Sequence, residues 1–307
     1  MPYSIQPHRA ELRSEALLDS WARSLEHVRS LAPEHPVVPL PSEPQALLEG
    51  AVCHELGTLF YPTDSEGTRH LRLTGFLEMT RIRAERDRLL LDVVPHGVAR
   101  TLAMALFPWH EAGPGSPVRS PGMRLRAVPQ GIEVFRPGIP GAVQFRGIGF
   151  EEVMARHRDY CPDGRCIAEL SPRAVTAAEA ELGYVPTRGA ALALSAVVRR
   201  LGILCSAGAG AESIHSWEAL VWPRGTIAVE VSYPQLDQAV RESIITRLAS
   251  PHLSPRWVIG PWIGRSGEPI GSRFHVRSPG NHTDIQLRLV GPIGLRGERS
   301  GRHGEAS

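Results

Sequence analysis

Residues 187–255 read TRGAALALSAVVRRLGILCSAGAGAESIHSWEALVWPRGTIAVEVSYPQLDQAVRESIITRLASPHLSP, and this stretch decides the fold. Thr187 has the hydroxyl of an N-cap, able to accept a bond from an orphan N–H of a first helical turn. Ala190, Leu194, Val197 and Leu201 follow at helical spacing and share one face. Arg199 and Arg200 fall in the last turn, where cations suit the negative end of the helix dipole, and Gly202 reads as the C′ stop. The small residues of 205–211 read as a loop. Trp217, Ala219 and Val221 alternate with Glu218, Leu220 and Trp222, and Ile227, Val229 and Val231 alternate with Thr226, Ala228 and Glu230. Period two predicts two strands with one buried face each. Val229 belongs to the buried face and Glu230 to a face turned to solvent or to a partner. Pro223, Arg224 and Gly225 supply a tight turn, so the pair is a hairpin. Ser232 and Gln235 have the spacing of a capping box for a helix striped by Leu236, Val240, Ile244 and Leu248. Ser250-Pro251 ends it, and 256–263 returns as a strand. The order α-β-β-α-β predicts an α+β fold with a small antiparallel sheet and helices on one face.

The protein has 307 residues, enough for two domains, and 42% of them are hydrophobic, enough for a proper core. The formal net charge of +2 is too small to demand an anionic partner, so nucleic acid is not expected. All 34 of the Lys+Arg residues are arginine. A G- and C-rich genome is the plain explanation; a demand for planar, bidentate cations at interfaces is the other. Either way, chemistry that needs a lysine is excluded: no P-loop, no protein-kinase strand lysine, no Schiff base. The first residues lack the apolar core of a signal peptide. No apolar run approaches the roughly 20 residues of a membrane span. A cytoplasmic protein with reduced thiols is the expectation.

In order from the N-terminus, 1–45 reads as an N-terminal helix (9–31) and a linker with prolines at 33, 36, 39, 41 and 44. Residues 46–155 read as an α+β domain with antiparallel strands: a helix at 45–56, strands at 69–82 and 89–94, a helix at 98–107, and strands at 123–128, 132–135 and 142–146. Helical 150–158 leads to a boundary near 147–165. Residues 156–295 form the α-β-β-α-β domain, with a further helix starting at Ser171-Pro172, and 296–307 reads as a disordered tail.

The candidate chemistry is thin. His157, Cys161 and Cys166 stand around a Pro162-Asp163-Gly164 turn and could hold zinc if Cys53, His54 or Cys205 supplied a fourth ligand. Free thiols beside a surface histidine are the alternative. Cys53-His54-Glu55 fails as a zincin, because Thr58 stands where the second histidine belongs. It also fails the zinc-deaminase pattern. A nucleophilic Cys53 paired with a distant histidine stays open against a small buried thiol at a helix end. Gly208-Ala209-Gly210 ends on Ser213 and follows a helix, so it is no dinucleotide loop. Gly264 to Gly267 reads as a hairpin turn. Arg124, Arg126, Arg136 and Arg146 alternate on predicted strands and could line a sheet for nucleic acid, without the aromatic pattern of an RNA-binding sheet. Six tryptophans are either core or interface anchors. Trp217 and Trp222 have opposite parity, so the candidate interface is Trp217, Trp222, Arg224 and Glu230.

Residues 187–253 resemble the tail protein I family of contractile-tailed phages and, more distantly, the baseplate wedge subunits of type VI secretion and related injection systems. Thr187-Arg188-Gly189 opening a helix, Arg200-Leu201-Gly202 closing it, Trp217 before a hairpin, 223–226 before an alternating strand and 247–253 ending a helix carry the likeness. Gly291-Pro292 after a late alternating strand is also similar. The resemblance implies a non-enzymatic structural subunit, of bacterial or phage origin, that grips neighbouring protein subunits and needs no cofactor. A zinc- or thiol-dependent enzyme and an arginine-lined nucleic-acid binder are the alternatives.

Overall fold

The computed structural model describes residues 5–57, 79–94, 99, 101–103, 105–110, 118–160, 173–182, 185–206, 216–221, 227–233, 236–263, 269–278 and 281–290. The class is α+β, built on two five-stranded sheets. In the first, β1 (Met79–Ala84), β2 (Arg88–Val93), β7 (Ile139–Arg146), β6 (Gly131–Arg136) and β5 (Arg124–Val128) lie side by side in that order. The second runs β10 (Val258–Ile263), β11 (Pro269–Ser278), β12 (Asn281–Val290), β9 (Ile227–Ser232) and β8 (Ser216–Val221). A two-residue pair, β3 (Trp109–His110) with β4 (Val118–Arg119), stands apart.

The hairpin predicted from period two is present: Trp217 registers opposite Val231, Ala219 opposite Val229 and Val221 opposite Ile227. Ile227, Val229 and Val231 are fully buried, as the alternation requires. Each sheet departs from the expected all-antiparallel form at one seam: β2 runs parallel to β7 in the first, and in the second the seam lies between β12 and β9. β12 runs parallel to β9, pairing Leu287 with Val229 and Leu289 with Val231. This makes β9 an interior strand, and its other face is covered too, with Ala228 and Glu230 buried. Glu230 is therefore not the solvent- or partner-facing residue that alternation suggests; Arg288 Nη1 lies 3.6 Å from its carboxylate.

Helices fill the space between the sheets. α3 (Glu43–Gly57) packs on α6 (Arg188–Val198); α3 also meets β7 of the first sheet, and α6 meets β12 of the second. Buried apolar residues from both halves form one contiguous cluster, running from Ala10 and Leu48 through Ile82 and Phe145 to Leu194, Val229 and Leu289. Thr187 caps α6 as predicted, its Oγ1 accepting from the Ala190 N–H at 3.3 Å. The predicted stripe is only part of what α6 buries. Ala191, Ala193, Ala196 and Val198 are buried as well, so the helix is a central one.

Gly202 does not end the helical region. α7 (Leu201–Ser206) resumes directly, and Gly202 lies where it crosses α1 (Ile5–Leu17): a Cβ there would come within 2.1 Å of the Glu15 carbonyl oxygen. Gly50 plays the same part between α3 and α6, where a Cβ would sit 2.1 Å from the Ala191 carbonyl oxygen. Gly50→Ala is expected to destabilise by about 1–3 kcal/mol through overpacking, despite alanine's better helix propensity. Urea denaturation of the variant checks it; an unchanged midpoint would show that the helices can part at no cost.

Other elements adjust the sequence reading. The N-terminal helix is two: Leu18 at φ 51° breaks it, and Ser20 caps α2 (Trp21–Arg29). The proline-rich segment has no regular structure, yet Val37 and Val38 are buried and Val37 N–H donates to the His252 carbonyl at 3.0 Å. α8 (Gln238–Leu248) begins later than the Ser232/Gln235 box would place it. Ser232 belongs to β9, and Asp237 is the cap, its Oδ1 accepting from Val240 N–H at 2.8 Å. A capping box forms elsewhere, at α5 (Ala177–Leu182): Thr176 N–H donates to Glu179 and Glu179 N–H to the Thr176 hydroxyl. α4 (Phe150–Tyr160) follows prediction. Strand residues 69–78, the Ser171-Pro172 start, the 264–267 turn and the 296–307 tail lie outside the described residues.

Candidate functional site

A cleft of about 290 Å3 opens where the two sheets' helices meet, between α3, α6, residues 254–257 and β12. Its walls are mostly apolar: Leu192, Ala193 and Ala196 from α6, Pro255 and Trp257, and Ile285 from β12. Glu43 and Arg188 sit at it as an exposed ion pair, Arg188 Nε donating to Glu43 Oε1 at 2.5 Å. Ser195 and Arg199 also line it.

Those two polar groups are tied into a buried network. Arg199 grips Glu49 with two bonds, Nε to Oε2 at 2.9 Å and Nη2 to Oε1 at 2.6 Å. Ser195 Oγ donates to Glu49 Oε2 at 2.6 Å, and Gln45 Nε2 to Glu49 Oε1 at 2.9 Å. Gln45 reaches on to β7, donating to the Ala142 carbonyl and accepting from the Ala142 N–H. Arg199 also donates to the carbonyls of Pro39 (2.6 Å) and Glu85 (2.7 Å). One fork thus joins α6, α3, the proline-rich segment and the β1–β2 turn. Arg200 is buried beside it, its guanidinium 4.1 Å from the Trp257 ring centroid. It donates to the carbonyls of Ala196 and Pro255. Burial pushes its pKa down to about 9, so it stays charged at neutral pH. Sequence reasoning places both arginines at a helix end for the dipole; the structure gives them tertiary partners.

The same use of arginine recurs. Arg9 donates to the carbonyls of Ala32 and His35, and Arg13 to that of Val37. Proline-rich segments carry carbonyls that no ladder satisfies, and a guanidinium offers five donors in a fixed fork. The arginine-only composition thus serves the interior as well as the surface. An excess of such carbonyls near a helix of otherwise apolar sequence is the signal that could have located Arg199.

The four arginines proposed to line a sheet are likewise engaged. Arg124 is buried and bidentate to Glu179, at 2.7 and 2.8 Å. Arg126 pairs with Glu133 and lies over Phe135; Arg136 donates to the Pro121 carbonyl; Arg146 lies 3.4 Å from Asp92. Burial pushes the Glu179 carboxyl up, but bonds from Arg124, Thr176 and Gly122 outweigh it and hold the pKa at about 2. A depressed carboxyl stabilises the fold above its unfolded value and loses that contribution as pH falls towards its folded one. The wild type is therefore expected to exceed Glu179→Gln in stability at pH 6, with the gap closing as pH falls from about 4.5 to about 2. Denaturation at stepped pH measures this, and a pH-independent gap would show that the charge is not the cause.

The remaining sequence candidates separate. His157 stacks on Phe107, ring centroids 3.9 Å apart, with Nδ1 3.2 Å from the Ala103 carbonyl. Burial pushes its pKa down. Cys161 and Cys166 lie outside the described residues, as do Trp222 and Arg224, and so does the side chain of Trp217. Cys53 is fully buried, and burial together with nearby Glu49 pushes its thiol far up; burial pushes Cys205 up to about 12. Both shifts run opposite to the lowered pKa that activates a thiol as a nucleophile. His54 is buried in the same helix as Cys53.

No family model, curated protein or solved structure matches this protein.

One further surface stands out. Among the described residues β10 pairs only with β11 and forms an edge of the second sheet. It carries two of the large apolar side chains that face water, Val258 at 60% exposure and Ile263 at 51%. Beside them Trp262 stacks on His275, centroids 4.0 Å apart.

Proposed function

We propose that this protein is a structural subunit of a larger protein assembly, with β10 as a face that grips a neighbouring subunit. The observation that carries this reading is the exposure of Val258 and Ile263 on a sheet edge. An edge strand presents unpaired backbone donors and acceptors, and apolar side chains on it add the area that stable contacts bury. Two features support it. Buried charge is spent on locking elements together, as in Glu49–Arg199 and Arg124–Glu179, which suits a rigid scaffold. The likeness of residues 187–253 to tail protein I and baseplate wedge subunits points to the same class, a contractile-tail baseplate component.

The test is co-expression with the products of the genes flanking its own. A stoichiometric complex is expected with at least one of them. Val258→Arg with Ile263→Arg should abolish that complex and leave the melting temperature of the isolated protein unchanged, since both sites are exposed. A protein that binds none of its neighbours' products, or a double variant that assembles as well as the wild type, would overturn the assignment.

A further inference from the structure

Another cavity, of about 440 Å3, lies at the β5 end of the first sheet, between β5, β6 and the first turns of α4. Phe107 and Met123 line it as buried side chains. Leu125 of β5, Phe135 of β6, and Phe150 and Met154 of α4 line it too, and these four are only partly buried, so apolar surface there is open to a ligand. Two of the rings are held in place. His157 stacks on Phe107, centroids 3.9 Å apart, and the Arg126 guanidinium lies 4.8 Å from the Phe135 ring centroid. The charges at the cavity are balanced. Arg124 spends Nη1 and Nη2 on Glu179, and Arg126 spends Nε and Nη2 on Glu133. Arg126 Nη1 has no hydrogen-bond partner among the described residues, and the Arg126 side chain is 60% exposed, so this donor is within reach from solvent.

We propose that this cavity binds a flat, neutral aromatic molecule carrying one carbonyl group: its rings lie against Phe107, Phe150 and Met154, and its carbonyl oxygen accepts from Arg126 Nη1. Mainly apolar walls with one or two placed polar groups are what small-molecule sites present, and a volume of about 440 Å3 takes a pair of fused rings. The wall chemistry favours an aromatic ligand over an aliphatic one. Thioether sulfurs and phenyl rings gain from contact with another ring beyond the area they bury, and the two methionines can shift to fit it. The charge balance favours a neutral ligand. A cation would meet Arg126. An anion would meet Glu133, whose side chain is 5% exposed and already holds the guanidinium, so the added charge would go uncompensated. A carbonyl oxygen takes the one free donor and brings no charge. The proposal stands independently of the assembly role, since it concerns a different sheet from β10.

The test uses the full-length protein with 13C-methyl-labelled methionine. The protein has five methionines, so Met123→Leu and Met154→Leu assign the two signals at the cavity by their loss. 2-Acetylnaphthalene, 2-naphthoate and naphthalene are titrated separately. 2-Acetylnaphthalene should displace the Met123 and Met154 signals saturably and leave the other methionine signals in place. 2-Naphthoate, the same rings with a charge, should bind at least about tenfold more weakly. Naphthalene, which lacks the carbonyl, should bind several-fold more weakly than the ketone. Met154→Trp, which fills the cavity from the half-buried side of α4, should remove the Met123 response while the remaining methionine signals stay at their folded positions. The proposal is overturned if 2-acetylnaphthalene leaves both signals unmoved up to its solubility limit, if ketone and acid bind alike, if ketone and naphthalene bind alike, or if Met154→Trp binds as the wild type does. Should Met154→Trp fail to fold, the three wild-type titrations still decide the matter.

Discussion

Arg199→Ala is expected to remove about 3–5 kcal/mol of folding stability, the cost of leaving one member of a buried ion pair alone. Arg199 is 3% exposed and Glu49 1%, and the two share a bidentate contact at 2.6 and 2.9 Å. Without the guanidinium, the Glu49 carboxylate keeps, among the described residues, the Ser195 hydroxyl and the Gln45 amide, and the carbonyls of Pro39 and Glu85 lose the Arg199 donor. A protein of this kind has about 5–15 kcal/mol in total, so a single truncation consumes much of it. Combining Glu49→Leu with Arg199→Met should prove less harmful than Arg199→Ala alone, because no charge is then stranded. It should still fall short of the wild type, since the two carbonyls stay unserved. Arg188→Ala at the exposed Glu43 pair should leave the melting temperature where it is. Urea denaturation of the wild type and the three variants checks the order. A loss at Arg199 no larger than at Arg188 would mean that the buried network is not what joins α3 to α6.

Val229→Asp is expected to prevent folding at physiological temperature. Val229 is fully buried in the middle of β9, between Ala219 of β8 and Leu287 of β12 in register. The lost apolar burial amounts to about 1.5–3 kcal/mol. A carboxyl placed there is either an unpaired charge or a neutral acid with a strongly raised pKa, at several kcal/mol more. Parity along the strand predicts that the neighbouring Glu230→Arg is harmless. The structure reverses that expectation. Glu230 is 7% exposed, has Arg288 3.6 Å away, and Arg288 in turn registers opposite Arg273. An arginine at 230 would complete a row of three cations across adjacent strands. A loss of about 2–3 kcal/mol is expected, less than for a deeply buried pair because Arg288 keeps some exposure. Thermal melts and soluble yield rank the variants: Val229→Asp below Glu230→Arg, and both below the wild type. Equal melting temperatures for Glu230→Arg and the wild type would mean that the outer face is open after all.

The sequence by itself determined the local features whose causes are local. The Thr187 cap, the alternation of Ile227, Val229 and Val231, the hairpin between β8 and β9 and the α+β class are all set by residues within a few positions of one another. Periodicity names the face that must be buried, but it is silent on what covers the opposite face. Whether Glu230 meets water depended on β12, far downstream, pairing in parallel with β9. The roles of the arginines were closed to sequence reading for the same reason. Arg199 finds Glu49 150 positions away, and only the crossing of α3 over α6 at Gly50 brings the two together. A charge at a helix end satisfies a dipole on local grounds and a buried carboxylate on tertiary ones, and the second is the stronger because it is made out of water. The apolar cleft exists only because residues 254–257 and β12 close over α6, and no single stretch of the sequence holds it.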